Sequence, residues 1–539
     1  MTTIYRDSAV KAGKFVEELK AQADGAHVAL DSVERVADKA PVSMQVALEA
    51  AGSEAGRLAN ALLDSANAYE LAHGMKAPAD IIEHAMHLAF ATTDKARSQF
   101  ALDAATSTAS DPYSLQANRA IVSIMSTLGA AVPFANYIPA DIGSNEAKLA
   151  IVSHVAANTY GEYAAQGLMD GALSGMNYMT SERTHLCTVA TTNMTGQITS
   201  KQETFEVCAP TGADSLAVKL VRGRSEVYVN GLFAAREIDS RGTGLSPVSG
   251  KVTIAGVDYV IGGTVNTDTG EIALTSTPAL PANTKVHVVA HIDYERDASG
   301  VPSIITRVDD YTLFAKPWRV TTFQSIDSRT QMSNELGLDP YAEAVYSINV
   351  QFANERHVAA LRKVERMAMN NAITYDFDYA THKAAKTRAE IWQDFAGTLG
   401  LVSQQMAIDT MSYGVSHLYV GNNVAAQLQS LPSSLFTPSG LQKTAGIYRI
   451  GKLFGVYEVY FTPTIVEGTT TSRVICVGRA PDPARCPIIM GDAVPPTMIP
   501  LAVNADLKTG AGFYARTFTD TNPHPQSARG CALIDIINL

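Results

Sequence analysis

The pattern of apolar and polar positions divides the chain into stretches of different period. From residue 1 to about 105, apolar residues recur at helical spacing, as at Leu58, Leu62 and Tyr69 and again at Ile81, Ala85 and Leu88. Alanine is abundant there and breaks fall near Pro41, Gly74 and Pro78, so a helical N-terminal region over 1–105 is expected. The polar stretch ATSTASDPYS (105–114) reads as the linker that ends it. Between 115 and 165 an apolar arm, broken by Pro133 and Pro139, leads to a strand from Leu149 to Val155. Residues 166–205, rich in Gly, Ser, Thr and Met, read as extended loop.

The period then changes to two. LAVKLV, SEVYVN, KVTIA, DYVIGG, GEIALTS and TKVHVVAHIDYE are short β-branched runs separated by turn signals such as NTDTGE. They predict a small β-sandwich or barrel over 206–297, inserted into a host domain. A strand-like stretch, RVDDYTLFAKPWRVTTFQSIDSRTQ, follows, and then a long helix over 341–370 with Asp339 as N-cap and Pro340 in the first turn. Val345, Ile348 and Phe352 keep helical spacing, with Glu343 early and Arg362, Lys363 and Arg366 late, as the helix dipole prefers. Such a helix far exceeds the mean of about 11–12 residues, which calls for a strut-like role. A second long helix over 383–411 carries the stripe Trp392, Phe395, Leu399, Val402, Met406, a core-facing seam. From 414 to 539 short strands (SHLYVG, VYEVYFT, SRVICVG, ALIDIIN) alternate with helices and Pro-rich turns. The fold class expected is α+β with one all-β insertion.

A chain of 539 residues exceeds one ordinary core, and 18% charged with 46% hydrophobic residues makes it globular. The net charge of −11 supplies no basic field to grip phosphates, though a surface that merely faces nucleic acid stays compatible with it. Cys187, Cys208, Cys476, Cys486 and Cys531 lie far apart with no C-x-x-C pair, which predicts buried thiols made in a reducing cytosol. MTTIYRDSAVKAG has no apolar signal core and no 18-residue apolar run occurs, so a soluble protein without a membrane partner is expected.

Candidate chemistry is sparse. RGTGLSPVSG (241–250) lacks the spacing and the Lys-Ser/Thr ending of a phosphate loop. His84 and His87, beside Glu83, could be half a metal site, but without a third ligand nearby a partly exposed helix face is the favoured reading. Glu355, Arg356 and His357 read as a solvated or intersubunit face of the long helix. VNTDTGEI (265–272) has calcium-loop composition without the ligand spacing, and a hairpin turn is favoured. Asp309 and Asp310 are adjacent and on a strand would face opposite ways, a poor acid/base pair. Asn193 in NMT matches a glycosylation acceptor with nothing else to support secretion. No catalytic, cofactor-binding or metal-ligating residue is therefore nominated, no cofactor is expected, and no enzyme is expected.

Four passages, in this order, resemble the major capsid proteins of tailed bacteriophages (Caudoviricetes), with the Hong Kong 97-like fold, and among them the T-even-like branch. RAIVSIMSTLGAAVPFANYIPADIGSNEAKLAIVSHVAANTYGEY is similar to the N-terminal arm entering the extended loop. LFAKPWRVTTFQSIDSRTQMSNELGLDPYAEAVYSINVQFANERH is similar to the strand, Gly-Leu-Asp helix start and spine helix of the peripheral domain. SHLYVGNNVAAQLQSL with KLFGVYEVYFTP resembles a unit of the axial domain, and DPARCPIIMGDAVPP with GFYARTFTD and ALIDIINL resembles its last segment and the strand returning to the peripheral domain.

The resemblance implies an N-terminal arm over 106–148, an extended loop over 149–205 and the insertion over 206–297. It further implies a peripheral domain over 298–412, an axial domain over 413–515 and a returning strand over 516–539. It implies a structural subunit, made in the bacterial host's cytoplasm and located in the virion. Copies would self-assemble as hexamers and pentamers into an icosahedral shell around double-stranded DNA, without sequence-specific contact. Portal and cementing or decoration proteins are the further partners implied. A tail tube or sheath subunit, an encapsulin-like compartment shell and an enzyme of unknown class are the alternatives. The arm over 121–139 and the loop over 166–205 are the segments expected to pack on neighbouring subunits. In the T-even-like branch a leading segment is cut off after a hydrophobic-x-Glu sequence, which Ile81-Ile82-Glu83 matches; residues 1–105 are nevertheless expected to be retained, as an internal scaffold or lining.

Overall fold

The computed structural model describes residues 2–23, 27–91, 112–140, 145–202, 216–296, 301–337, 339–465, 467–501 and 507–539. These form two units, one of residues 1–151 with 310–539 and one of residues 152–309. Most of the stretch expected as a linker at 105–114, and Cys208, lie outside the described residues.

In the larger unit the N-terminal part is helical: α1 (Thr2–Gln22), α2 (Leu30–Ala37), α3 (Val42–Ala51), α4 (Ala55–His73), α5 (Ala79–Ala91) and α6 (Pro112–Gly129). Leu58, Leu62, Ala66 and Tyr69 recur at intervals of three and four, so one face of α4 is apolar and buried. The helix stops where Gly74 turns left-handed (φ 66°), its N–H donating to the Glu70 carbonyl at 2.8 Å. α5 is buried nearly all round, from Asp80 through Met86. These helices share one apolar core with α6 and with the sheets that follow. Of the arm expected to pack on a neighbour over 121–139, the part up to Gly129 is helical in α6; Ile124, Leu128, Val132, Phe134 and Tyr137 are buried in their own chain, while Val122 and Met125 are exposed.

A four-stranded sheet has the order β1 (Asn136–Tyr137), β19 (Ile488–Leu501), β20 (Lys508–Thr521), β12 (Lys316–Ser325). Gly491 lets β1 approach β19, since a Cβ there would lie 2.2 Å from the Ile138 carbonyl. A seven-stranded mixed sheet runs β13 (Ala372–Asp376), β21 (Cys531–Ile537), β18 (Ser472–Val477), β14 (His417–Val420), β17 (Tyr457–Phe461), β16 (Tyr448–Leu453), β15 (Phe436–Pro438). The boundary expected at 515/516 falls inside the continuous strand β20, and the closing strand β21 joins the seven-stranded sheet rather than the four-stranded one.

The long helix is α8 (Pro340–Ala368), preceded by α7 (Ile326–Leu336). Its C-terminal half packs on β18, β20 and β21 through Ala360, Leu361, Val364 and Ala368. Lys363 Nζ reaches Asp520 at 2.8 Å, and Arg473 links Glu365 and Asp535, each at 2.8 Å. The second long helix, α9 (Arg388–Thr410), begins in a capping box between Thr387 and Glu390, and its stripe Trp392, Phe395, Leu399, Val402, Met406 is buried as the spacing predicts. The short helix α10 (Asn422–Gln429) supplies the Gln427 Oε1 that accepts from Trp392 Nε1 at 3.1 Å.

The smaller unit is a closed antiparallel barrel in the order β10 (Val286–His291), β3 (Glu182–Ala190), β4 (Asn193–Gln197), β9 (Glu271–Thr277), β8 (Val257–Asn266), β7 (Leu245–Ile254), β6 (Leu232–Glu237), β5 (Glu226–Val229). Inward Val227, Val248, Ile261, Ile272 and Val288 alternate with outward polar positions and fill its interior. Two of these strands, β3 and β4, come from 182–197, inside the stretch expected to be extended loop, while LAVKLV contributes isolated bridges only. The buried positions of β3 include the polar Arg183, Thr184 and His185 beside Cys187, and β4 buries only Met194, so neither strand shows an apolar alternation in the sequence. Strands β2 (Glu146–Ala156) and β11 (Ile304–Phe314), where the chain passes between the units, pair as a two-stranded sheet.

Candidate functional site

Two features stand out, an exposed apolar wing and a buried polar seam, both in the larger unit. The wing comprises β12, α7 and the first half of α8. β12 is the edge of its sheet, bonded to β20 on one side over ten register pairs from Lys316↔Thr517 to Ser325↔Lys508. Among the described residues its other edge bonds to no strand, so a row of backbone donors and acceptors faces outward. Phe323 is 51% exposed and Val320 is exposed on the opposite face. α7 starts well, with the Ser325 side chain accepting from the Ser328 N–H, yet every described side chain from Ile326 to Glu335 is exposed. An isolated helix of this length is marginal in water, since helices shorter than about 12–15 residues lack enough internal stabilisation. Along α8, Tyr346 is 69% exposed and Val350 is also exposed, whereas Phe352 turns inward against Trp318 and Phe513.

The seam joins the N-terminal helices to the rest of the larger unit. Asp80 and His84 lie one turn apart on α5 and therefore share a face. Asp80 pairs with Arg479 at 2.5 Å, and Arg479 also donates to the Pro133 and Ala135 carbonyls at 2.8 and 2.6 Å. The other Asp80 oxygen accepts from the Tyr137 N–H at 3.1 Å. His84, fully buried, reaches Asp492 of β19 at 2.9 Å, and Asp492 pairs with Arg356 of α8 at 3.0 Å. Burial alone would raise the Asp492 carboxyl; the Arg356 guanidinium and the His84 hydrogen bond outweigh it and hold the group below its ordinary value.

These positions correct two expectations. His84 is not on a partly exposed face but in the core, because α5 is covered on all sides, and His87 is half-buried beside the Ala140 carbonyl. Arg356 and His357 are not a solvated face: Arg356 is buried on Asp492, and His357 Nε2 lies 3.0 Å from the Tyr419 hydroxyl, because this half of α8 rests on the sheets. Glu355 is exposed. The polar residues Asp80, Glu83, His84 and His87 interrupt the apolar positions of α5, so its sequence carries no clear signal that the helix is buried.

The remaining candidates resolve simply. VNTDTGEI forms the β8–β9 hairpin, with Gly270 left-handed at φ 75°. Asp309 pairs with Arg307 at 3.0 Å two residues along β11, while Asp310 is exposed. Asn193 opens β4 at the tight turn from Ala190 and is exposed. Among the described residues no three His, Cys, Asp or Glu side chains group as a metal site, and no helix is long and apolar enough to cross a membrane.

No family model and no curated protein matches the chain. Solved structures similar to it include one from Microbacterium phage Oxtober96, at 12% identity and TM-score 0.30, covering 45% of this chain and 80% of that one. The capsid of jumbo bacteriophage PhiKZ is similar at 8% identity and TM-score 0.34, over 75% of this chain and 91% of that one. The SrpI encapsulin of Synechococcus elongatus is similar at 9% identity and TM-score 0.25, over 44% and 79%. At such TM-scores the superpositions alone do not fix a family.

Proposed function

We propose that the chain is the major capsid protein of a tailed bacteriophage, a structural subunit that breaks and makes no bond and forms an icosahedral shell through hexamers and pentamers. The observation that carries this reading is the wing: a helix with every described side chain from Ile326 to Glu335 exposed, beside a strand whose outer edge bonds to no strand among the described residues, and the exposed Tyr346 and Val350 of α8. β12 and α7 expose Val320, Phe323, Ile326 and Met332 alongside Tyr346 and Val350 of α8, and permanent interfaces bury about 2,000–5,000 Å². Neighbouring copies are the partner that fits, because cyclic symmetry presents the same patches on every subunit. The order of segments that resembles tailed-phage capsid proteins supports the same conclusion.

In this reading residues 304–368 with 488–521 make the peripheral domain around the spine helix α8, and the seven-stranded sheet with α9 and α10 makes the axial domain. The barrel is the inserted domain of the extended loop and a place for a cementing protein. A net charge of −11 suits a lining that faces double-stranded DNA without holding it. The N-terminal helices are retained: Ile81, Ile82 and Glu83 lie buried in α5, so a protease would have to unfold that helix to cut after Glu83.

The test is a wing variant. Phe323→Ser with Tyr346→Ser removes two exposed apolar side chains, 51% and 69% accessible. The expected result is a folded subunit with an unchanged melting temperature that no longer forms rings or shells. Assembly at the parental rate and yield would overturn the reading.

A further inference from the structure

His73 ends α4, and its Nδ1 lies 3.1 Å from the hydroxyl of Tyr460 on β17. Tyr460 stacks on Tyr419 of β14, ring centroids 5.2 Å apart and tilted by 19°. The Tyr419 hydroxyl is 3.0 Å from His357 Nε2 on α8. His417, two residues before Tyr419 on β14, has its ring 6.0 Å from that of Tyr460. Phe134 packs against His357, His417 and Tyr419 at 6.2, 6.5 and 5.6 Å. We infer that His73, His357, His417, Tyr419 and Tyr460 form an acid-operated latch, which holds the N-terminal helices on the seven-stranded sheet and releases them when the imidazoles take up protons.

The charged groups around the latch leave no place for an imidazolium. Facing His73 are Tyr69 on its own helix and Arg449 of β16, the latter already paired with Glu458 of β17 at 2.6 Å. Beside His357 are His73 and, on α8, Arg356 with its partner Asp492 of β19. Near His417 are His73, His357 and Arg479, which α5 neutralises through Asp80. Glu458 is the register partner of His417, but Arg449 and Lys452 both hold it. Each of these carboxylates is thus claimed by an arginine, and Glu70, one turn before His73 on α4, is paired with Lys20 at 2.7 Å, so a proton added here stands among like charges. His417 compounds this: Nδ1 lies 2.7 Å from the Ser416 hydroxyl, while Nε2 is buried with no hydrogen-bond partner.

His417 is buried and His73 and His357 are half-buried; burial, with Arg449 adding to it, pulls His73 down to about 4, burial with Arg479 pulls His417 to about 3, and His357 is lowered the same way by burial and by His73. Each imidazole therefore titrates lower in the folded chain than the ordinary value of about 6.5. Such groups contribute stability that is whole above about pH 6.5 and is lost as the pH falls through the folded values. Glu83 has the opposite sense, but it lies among α1, α3 and α5, bonded to Ser8 and Ser43, outside the latch. His185 on barrel strand β3 is lowered by burial to about 4, so the barrel carries an acid-sensitive imidazole of its own, against three in the latch, and the latch is read from the difference between them.

The test is hydrogen exchange on the full chain, following amides of α4 (55–73) and of barrel strands β7–β9 (245–277). Between about pH 7.5 and about pH 4.5, α4 is expected to lose about tenfold more protection than the barrel, after correction for the intrinsic pH dependence of exchange. In His73→Gln and in His73→Gln with His357→Gln, that differential loss should shrink several-fold. Parallel loss in α4 and the barrel, full protection of α4 at the lower pH, or variants with the parental pH dependence would each overturn the latch. The wild-type comparison decides the matter even if the double variant does not fold.

Discussion

Burial pushes the Glu83 carboxyl up to about 7, although the Ser8 and Ser43 hydroxyls both donate to it. Its folded value stands above its unfolded one, so its contribution is whole below about pH 4.5 and is lost as pH rises through about 7. Glu83→Gln is therefore expected to melt higher than the parent at about pH 8, by about 1–2 kcal/mol, with the advantage gone near pH 5. Equal melting of the two proteins at both pH values would contradict that account. Asp492 is the opposite case, since Asp492→Asn leaves the Arg356 guanidinium buried with its countercharge removed. A loss of about 3–5 kcal/mol is expected in denaturant unfolding. The residue scale is where the sequence was least legible. Asp492 is 408 positions from His84, and nothing local in DIIEHAMH shows whether its histidine meets water or a carboxylate. The adjacent Asp309 and Asp310, by contrast, were readable, because strand geometry alone sends neighbours to opposite faces.

Elements with a strong period were legible and those with a masked one were not. The seam Trp392, Phe395, Leu399, Val402, Met406 of α9 is buried as its spacing requires, and α8 runs from Pro340 as its start signals require. β3 and β4 were missed because β3 buries the polar Arg183, Thr184 and His185 and β4 buries only Met194, with a glycine at a close approach; a Cβ on Gly196 would meet Cys187 Sγ at 3.3 Å. The arm expected over 121–139 is helical as far as Gly129, and Pro133 and Pro139 lie beyond that helix end. The two halves of α8 should respond differently to substitution. Leu361→Ala opens a cavity over the sheets and is expected to cost about 2–5 kcal/mol in unfolding experiments. Val350→Ser, on the exposed half, should leave unfolding within about 0.5 kcal/mol of the parent and weaken association instead. A large destabilisation from the second change would mean that this half of the helix is covered within its own subunit.

At the scale of the whole molecule, the N-terminal helices belong to the same core as the sheets, and that core is fastened by two buried arginine–aspartate pairs, Arg479–Asp80 and Arg356–Asp492. Stiffness then follows from a long helix clamped to two sheets, and exposed apolar surface is left on β12, α7 and α8. A free subunit has no use for that combination, whereas a shell subunit bears load through the stiff part and binds its neighbours through the exposed part. The sedimentation profile of the purified chain, with electron microscopy of each peak, tests this most directly. The account predicts closed megadalton particles or flat rings of five or six copies. A monodisperse monomer at every concentration, or smooth tubes of constant diameter with no closed particle, would contradict it.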